Sequence, residues 1–372
     1  MFFFVKKNQK TFFGLVTLLL GTAAHAQPSL RQACAPDYHK FCEGLFPGTA
    51  AIRTCFAQNL ARLAPACQAA IAATRVAREA DETRRATATG DTLAQTTVNG
   101  VARSYLVHVP PQKPAGGFAV IFAFHGAGGQ GAGMIGLTHF DKLADQRGFI
   151  AVYPNGIDRH WNDGRSTITA GADDVGFTRA MIGELTTKYS VNAAQIYATG
   201  FSNGAMLTQR LGCELADRIS AIAPVSGGLP EDLAPRCHPA KPVSVLYVAG
   251  TADPIVPFSG GAVSTYGGLG VGGNVLSAEA TASIWAATNG CARGANASVL
   301  PPTGPLDGTA VSRTLFAPCK SGRAVTLLVV KGGGHTWPGG PQYLPASMIG
   351  PASTQVDASA AIVDFFLAQA PR

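Results

Sequence analysis

No C-x-x-C pair occurs in this 372-residue chain and no histidines stand at ligand spacing, so its eight cysteines do not read as zinc ligands. Nor does any cluster of Lys and Arg interleaved with aromatics form a basic stripe, which argues against a nucleic-acid partner. Past the first 26 residues no run approaches the roughly 20 apolar residues that a membrane span needs. The G-x-G-x-x-G of "GLGVGG" (268–273) has no strand before it and no acid about 20 residues on, so a dinucleotide is not expected there. No metal and no cofactor are expected.

The first residues read as an export signal. Lys6, Lys7 and Lys10 precede a short apolar stretch, and Ala24-His25-Ala26 offers a cleavage site before Gln27. No small-residue box precedes Cys34, so a lipid anchor is not expected. Removing residues 1–26 takes away three lysines and no acid, lowering the formal charge from +7 to +4. The expectation is a protein, secreted or periplasmic, that acts as a monomer and leaves the membrane after cleavage. An even number of cysteines in such a chain reads as disulfides.

Residues 27–80 form an alanine-rich, helix-competent region with four cysteines and a Phe46-Pro47-Gly48 break. Four cysteines allow three pairings. An antiparallel helix pair would join Cys42–Cys55 near the turn and Cys34–Cys67 far from it. So small a region needs such staples. "DYHKFC", the Pro-Gly turn and "CFAQNLARLAPAC" together resemble the cysteine-rich repeat of Golgi cysteine-rich glycoproteins, over about 40 residues and with no chemistry implied. Residues 81–94, polar and rich in Thr and Ala, read as a linker.

From residue 95 to 372 apolar runs alternate with helical stretches. "FAVIFAF" (118–124), "FIAVY" (149–153), "QIYAT" (195–199), "ISAIAPV" (219–225), "VSVLYVA" (243–249) and "VTLLVV" (325–330) suit strands buried on both faces. Phe177, Met181, Leu185 and Tyr189 recur every four residues and would line one helix face. This pattern predicts an α/β fold, a mostly parallel sheet with helices on both faces.

Ser202 lies in "GFSNGAM", between the strand "QIYATG" and a helix-competent stretch. A serine on so tight a turn projects its Oγ out of the sheet, and flanking glycines avoid clashes. Its hydroxyl needs a base, and the base needs an acid to orient it. In chain order Ser, Asp, His, the candidates are Asp253 after "VSVLYVA" and His335 after "VTLLVV". Both follow strands at the edge where open α/β sheets carry their sites. Asp357 and Asp364 are rivals placed at the final helix. "HGAGG" (125–129) ends another strand, and the backbone N–H groups of Ala127 and Asn203 are the candidate oxyanion donors. His125 itself reads as a structural hydrogen-bonding residue. Trp161 and Asn162, and Trp337 beside His335, are candidates to wall a substrate cleft, with core packing as the alternative.

"HGAGG", "YPNGIDRHWNDGR", "DDVGF", "IYATGFSNGAM", "CELADRISAIAPVSGG", "GTADPIVPFSGG" and "GGGHTWPGG" together resemble the polyhydroxybutyrate depolymerase and feruloyl esterase family of secreted serine esterases. The resemblance runs from about residue 95 onward. It implies an α/β-hydrolase fold, no cofactor, a Ser202–Asp253–His335 triad, and bridges Cys213–Cys237 and Cys291–Cys319. The expected reaction is hydrolysis of hydroxyalkanoate esters through an acyl-enzyme, the alternative substrate being feruloyl or acetyl esters of plant polysaccharide. Acyl transfer to an alcohol would use the same residues. A different class of function, a wall- or polymer-binding protein with a silent hydrolase fold, would give the cysteine-rich region the main role.

Overall fold

The computed structural model describes residues 29–44, 52, 55, 56, 59–168, 171–264, 272–292 and 295–369. The export segment (1–26), the Phe46-Pro47-Gly48 break and most of the 268–273 glycine motif lie outside them.

Helix α1 (Leu30–Phe41) opens on a capping box. The Ser29 hydroxyl accepts from Gln32 N at 3.3 Å, and the Gln32 side chain accepts from Ser29 N at 3.0 Å, satisfying two donors the helix would otherwise leave free. Disulfide Cys34–Cys67 ties this helix to the first turn of α2 (Pro65–Thr89), and Cys42–Cys55 ties its C-cap to the segment before α2. Cys34, Leu63 and Cys67 are buried, with Phe41, Phe56 and Ile71 packed around them. That core is small, and the cystines supply what burial alone does not. The stretch 81–94, expected as a linker, instead carries the last turns of α2 and the first residues of strand β1 (Thr92–Val98). Its Ala, Arg and Glu residues are strong helix formers, and the helix ends only at Gly90, where φ is +77°.

Beyond β1 come β2 (Val101–His108), β3 (Phe118–Phe124), α3 (Gly131–Thr138), α4 (Phe140–Arg147), β4 (Phe149–Pro154), α5 (Asp174–Lys188), β5 (Val191–Phe201), α6 (Asn203–Glu214), β6 (Ala221–Val225) and β7 (Ser244–Gly250). A short pair, β8 (Gly261–Ala262) and β9 (Asn274–Val275), precedes α7 (Ala278–Thr288), β10 (Ala295–Val299), β11 (Ala310–Phe316), β12 (Val325–Lys331), α8 (Ala346–Ile349) and α9 (Ala358–Leu367). One ten-stranded sheet runs β1-β2-β4-β3-β5-β6-β7-β12-β11-β10. Its centre, from β4 to β12, is parallel, and the outer pairs at each edge are antiparallel. This is the α/β-hydrolase architecture.

Helices cover both faces, so β3, β4, β6 and β7 are buried throughout. One core holds Phe122, Phe177, Leu211 and Trp285; the other holds Phe140, Tyr153, Trp337 and Phe366. On α5 the expected face is buried at Phe177, Met181 and Leu185, while Tyr189 falls at the C-cap and packs against the first core from the side. Strand succession reverses between β3 and β5, which opens a crevice at their carboxyl ends.

Candidate active site

Strand β5 ends at Phe201 and α6 begins at Asn203, leaving Ser202 alone on the turn. Its backbone sits at φ 57°, ψ −119°, a conformation that costs a non-glycine residue about 1–3 kcal/mol and persists only where the surroundings impose it. Here they do. Ser202 N donates to Val225 O on β6 at 3.0 Å, and Ser202 O accepts from Met206 N at 3.0 Å. A Cβ on Gly200 would run into the carbonyl of Gly204, and one on Gly204 into the carbonyls of Phe124 and His125. The two glycines let β5, α6 and β3 approach closely enough to hold the serine in this geometry.

The imidazole of His335, after β12, reaches Ser202 Oγ with Nε2 at 2.9 Å. Its Nδ1 lies 2.7 Å from Asp253 Oδ2, and the other oxygen of Asp253 accepts from Ile255 N and Val256 N, each at 2.8 Å. Asp253 therefore caps its own turn and orients the histidine at once. His335 and Asp253 are 5% and 8% exposed, so little water competes for these bonds. The His335 backbone is fixed as well: its N–H donates to Ile349 O, and its carbonyl accepts from the Tyr343 hydroxyl at 2.9 Å. The rival acids lie elsewhere. Asp357 caps α9, and Asp364 pairs with Arg147.

The segment after β3 faces the serine. Gly126 and Ala127 line the crevice beside Ser202. His125 is buried, its Nε2 accepting from Gly156 N at 3.0 Å and its Nδ1–H donating to Gly126 O at 2.8 Å. Burial pushes its imidazole down to about 3, so it stays neutral and serves as a fastener. Asn203 opens α6, where a backbone N–H has no partner within the helix.

These groups open on a cavity of about 410 Å³. Met134 and Leu137 of α3 form one side; Phe201, Ile255, Tyr343 and Leu344 form much of the rest. No Asp, Glu, Lys or Arg side chain is on its wall. Tyr343 stands edge-on to Phe201, with ring centroids 5.8 Å apart.

NocK of Nocardia uniformis subsp. tsuyamanensis, a protein named as an esterase, is 32% identical to this chain over 295 residues, which is 76% of this chain and 85% of that protein. The chain belongs to this esterase family. Feruloyl esterase B of Piromyces equi is 34% identical over 202 residues, 52% of this chain, and the match spans only 35% of that longer protein. Acetyl xylan esterase from Aspergillus awamori superposes with a TM-score of 0.53 at 17% identity, over 74% of this chain and 98% of that one, and shares the fold. No family model matches the chain.

Of the two places the sequence leaves open for Trp161 and Trp337, cleft wall or core, both rings occupy the core. Trp161 is fully buried, edge-on to Phe124 at 5.2 Å, with its indole N–H donating to His125 O at 2.8 Å. Asn162 is held away from the cavity by Asp174 Oδ2, which accepts from its N–H, and by Ala172 O, which accepts from its amide. Trp337 is buried against Phe140 and donates to Ser359 Oγ at 2.9 Å. Each ring packs under the site because its largest apolar surface and its one donor are both satisfied there. Of the residues that do face the cavity, Tyr343 and Met134 carried no motif. Phe201 of the serine motif, Gly126 to Gly129 of "HGAGG" and Ile255 of "GTADPIVPFSGG" line the cavity from within motifs that the sequence displays. Among the described residues no group of three or more His, Cys, Asp or Glu could hold a metal ion. None of the described helices is long and apolar enough to cross a membrane. Bridges Cys213–Cys237 and Cys291–Cys319 join the ends of α6 and α7 to following loops.

Proposed function

We propose that this esterase is an exported serine hydrolase that cleaves esters of bulky, uncharged acyl groups, with hydroxycinnamoyl esters of plant polysaccharide as the leading substrate class. The observation that carries the mechanism is the continuous hydrogen-bonded chain from Ser202 through His335 to Asp253 at the edge of an apolar cavity. His335 Nε2 takes the Ser202 proton as Oγ attacks the ester carbonyl, and Asp253 holds the imidazolium and its tautomer. The N–H groups of Ala127 and Asn203 receive the oxyanion. His335 then returns the proton to the departing alcohol, and water repeats the sequence on the acyl-enzyme.

A cavity of about 410 Å³ exceeds what an acetyl group fills, and a wall without charged side chains favours a neutral acyl chain. The Piromyces relative, named a feruloyl esterase, supports an aromatic one. The seven motifs taken together resemble polyhydroxybutyrate depolymerases as well as feruloyl esterases, which keeps hydroxyalkanoate oligomers as the second class. Four disulfides support export, since cystines persist in oxidising compartments.

The test is a panel of methyl ferulate, methyl acetate, p-nitrophenyl acetate to octanoate and 3-hydroxybutyrate oligomers. Turnover with a burst on the p-nitrophenyl esters is expected, with kcat/KM higher for methyl ferulate than for methyl acetate, which shares its leaving group, and Ser202→Ala abolishes both burst and turnover. Persistent activity in that variant overturns the mechanism. Cleavage of hydroxybutyrate oligomers without methyl ferulate reverses the substrate order.

A further inference from the structure

The two oxyanion donors come from different parts of the sheet, Ala127 from the loop after β3 and Asn203 from the turn after β5. No covalent feature sets the distance between them. The loop after β4, which carries "WNDGR", touches both. Trp161 N donates to Asn203 Oδ1 at 2.8 Å, and Asn203 Nδ2 donates back to Trp161 O at 3.0 Å. The indole of the same tryptophan donates to His125 O, directly before Gly126 and Ala127. A second proton of Asn203 Nδ2 goes to Asp163 Oδ2 at 2.7 Å, and Arg165 neutralises that carboxylate through Nη2 at 2.6 Å. Trp161, Asn203, Asp163 and Arg165 are all at most 3% exposed.

We infer that Trp161 and the Asn203 side chain act as a positioning clamp that fixes the spacing of the two oxyanion donors. The inference rests on the reading of the Ala127 and Asn203 N–H groups as those donors. Packing alone does not require this arrangement. Apolar side chains would fill the space at no cost in buried charge, whereas the directed bonds here use both polar atoms of one amide. Donors held in place before substrate arrives lose nothing to reorganisation as negative charge develops, which is where such sites gain most. The loop adds two further ties to the β3 side, Gly128 N to Arg159 O at 2.8 Å and Gly156 N to His125 Nε2 at 3.0 Å. Neither Trp161 nor Asn203 lines the cavity, so their side chains act through the backbone they hold.

The experiment compares Trp161→Phe and Asn203→Ala with wild type, expressing kcat per competent site as counted by burst titration. An alkyl boronic acid, which forms a tetrahedral adduct on the serine, is measured beside the carboxylate product. Expected is a loss in kcat of roughly a hundredfold, the scale of removing one oxyanion donor, with KM nearly unchanged. Boronate affinity should fall in step with kcat while product affinity holds. Should either variant fold poorly, benzothienylalanine at position 161 removes only the N–H donor and keeps the ring. Wild-type kcat per competent site in these variants, or boronate affinity unchanged while kcat falls, overturns the clamp and leaves the esterase reading standing. A wild type that turns over no ester, or a Ser202→Ala variant that does, overturns that reading and the clamp with it.

Discussion

Asp253→Asn is the sharpest probe of the proposed mechanism, because the surroundings dictate how the new amide must sit. One oxygen of Asp253 accepts two backbone N–H groups, from Ile255 and Val256, each at 2.8 Å. An amide nitrogen placed there would set donor against donor, so the nitrogen must take the other position, 2.7 Å from His335 Nδ1. There it donates, which forces the ring proton onto Nε2, 2.9 Å from Ser202 Oγ. The imidazole then offers the serine a donor where the reaction needs an acceptor. A wrong tautomer of this kind costs roughly 10⁴ in kcat, which at 1.36 kcal/mol per decade is about 5.4 kcal/mol of transition-state stabilisation. The side chain keeps its size and its backbone bonds, so the melting temperature should move far less than the rate. Stopped-flow acylation by a p-nitrophenyl ester, with thermal unfolding of the same samples, measures both. Acylation within tenfold of wild type in a folded Asp253→Asn variant would refute the assignment.

Two stability predictions follow from groups away from the cavity. His108 lies 2.7 Å from Asp91 and 3.0 Å from Asp145, and the hydrogen bond to Asp91 holds its imidazole up at about 9, against the opposing effect of burial. A group raised in the folded state contributes fully below its ordinary value near 6.5 and loses that contribution as pH rises through about 9. Wild type should therefore lose stability over this window more steeply than His108→Gln; matching slopes of melting temperature against pH would dismiss the effect. The Cys213–Cys237 bridge, with a sequence separation of 24, closes a loop whose entropy in the unfolded chain is worth about 3.5 kcal/mol. Replacing both cysteines by alanine should lower urea stability by that order while leaving kcat intact, and a loss below about 1 kcal/mol would contradict the estimate.

Much of the parallel sheet was legible because strands covered on both faces must be apolar throughout, as "FAVIFAF" and "VSVLYVA" are. Ser202, Asp253 and His335 were legible for a related reason: each directly follows such a strand, and strand ends mark the site edge. The outermost antiparallel strands, β1, β11 and β10, escaped notice, although "SYLVHV" (104–109), which covers the end of β2, alternates visibly. Strand β1, "TLAQTTV", and β11, "AVSRTLF", each have only part of their length covered and so carry polar residues that blur the pattern. The tryptophans stayed open between wall and core because the position of a ring is decided by distant partners, Phe124 for Trp161 and Phe140 for Trp337. The second duty of Asn203 was equally hidden, since its side-chain partners sit 40 residues and more upstream. Tyr343 joins the site through the fold of the chain after His335, for which no local spacing rule exists.

Helix α2 spans 25 residues, about 37 Å of rise, and only Gly90 and Asp91 separate it from β1. The cystine-braced helix α1 at its far end is thus carried on a stiff rod rather than a tether. A single-residue deletion in that rod would swing α1 about the axis by roughly 100°, while removing seven residues would nearly restore its bearing at a shorter reach. Anyone grafting another module onto this catalytic unit must count residues by helical phase.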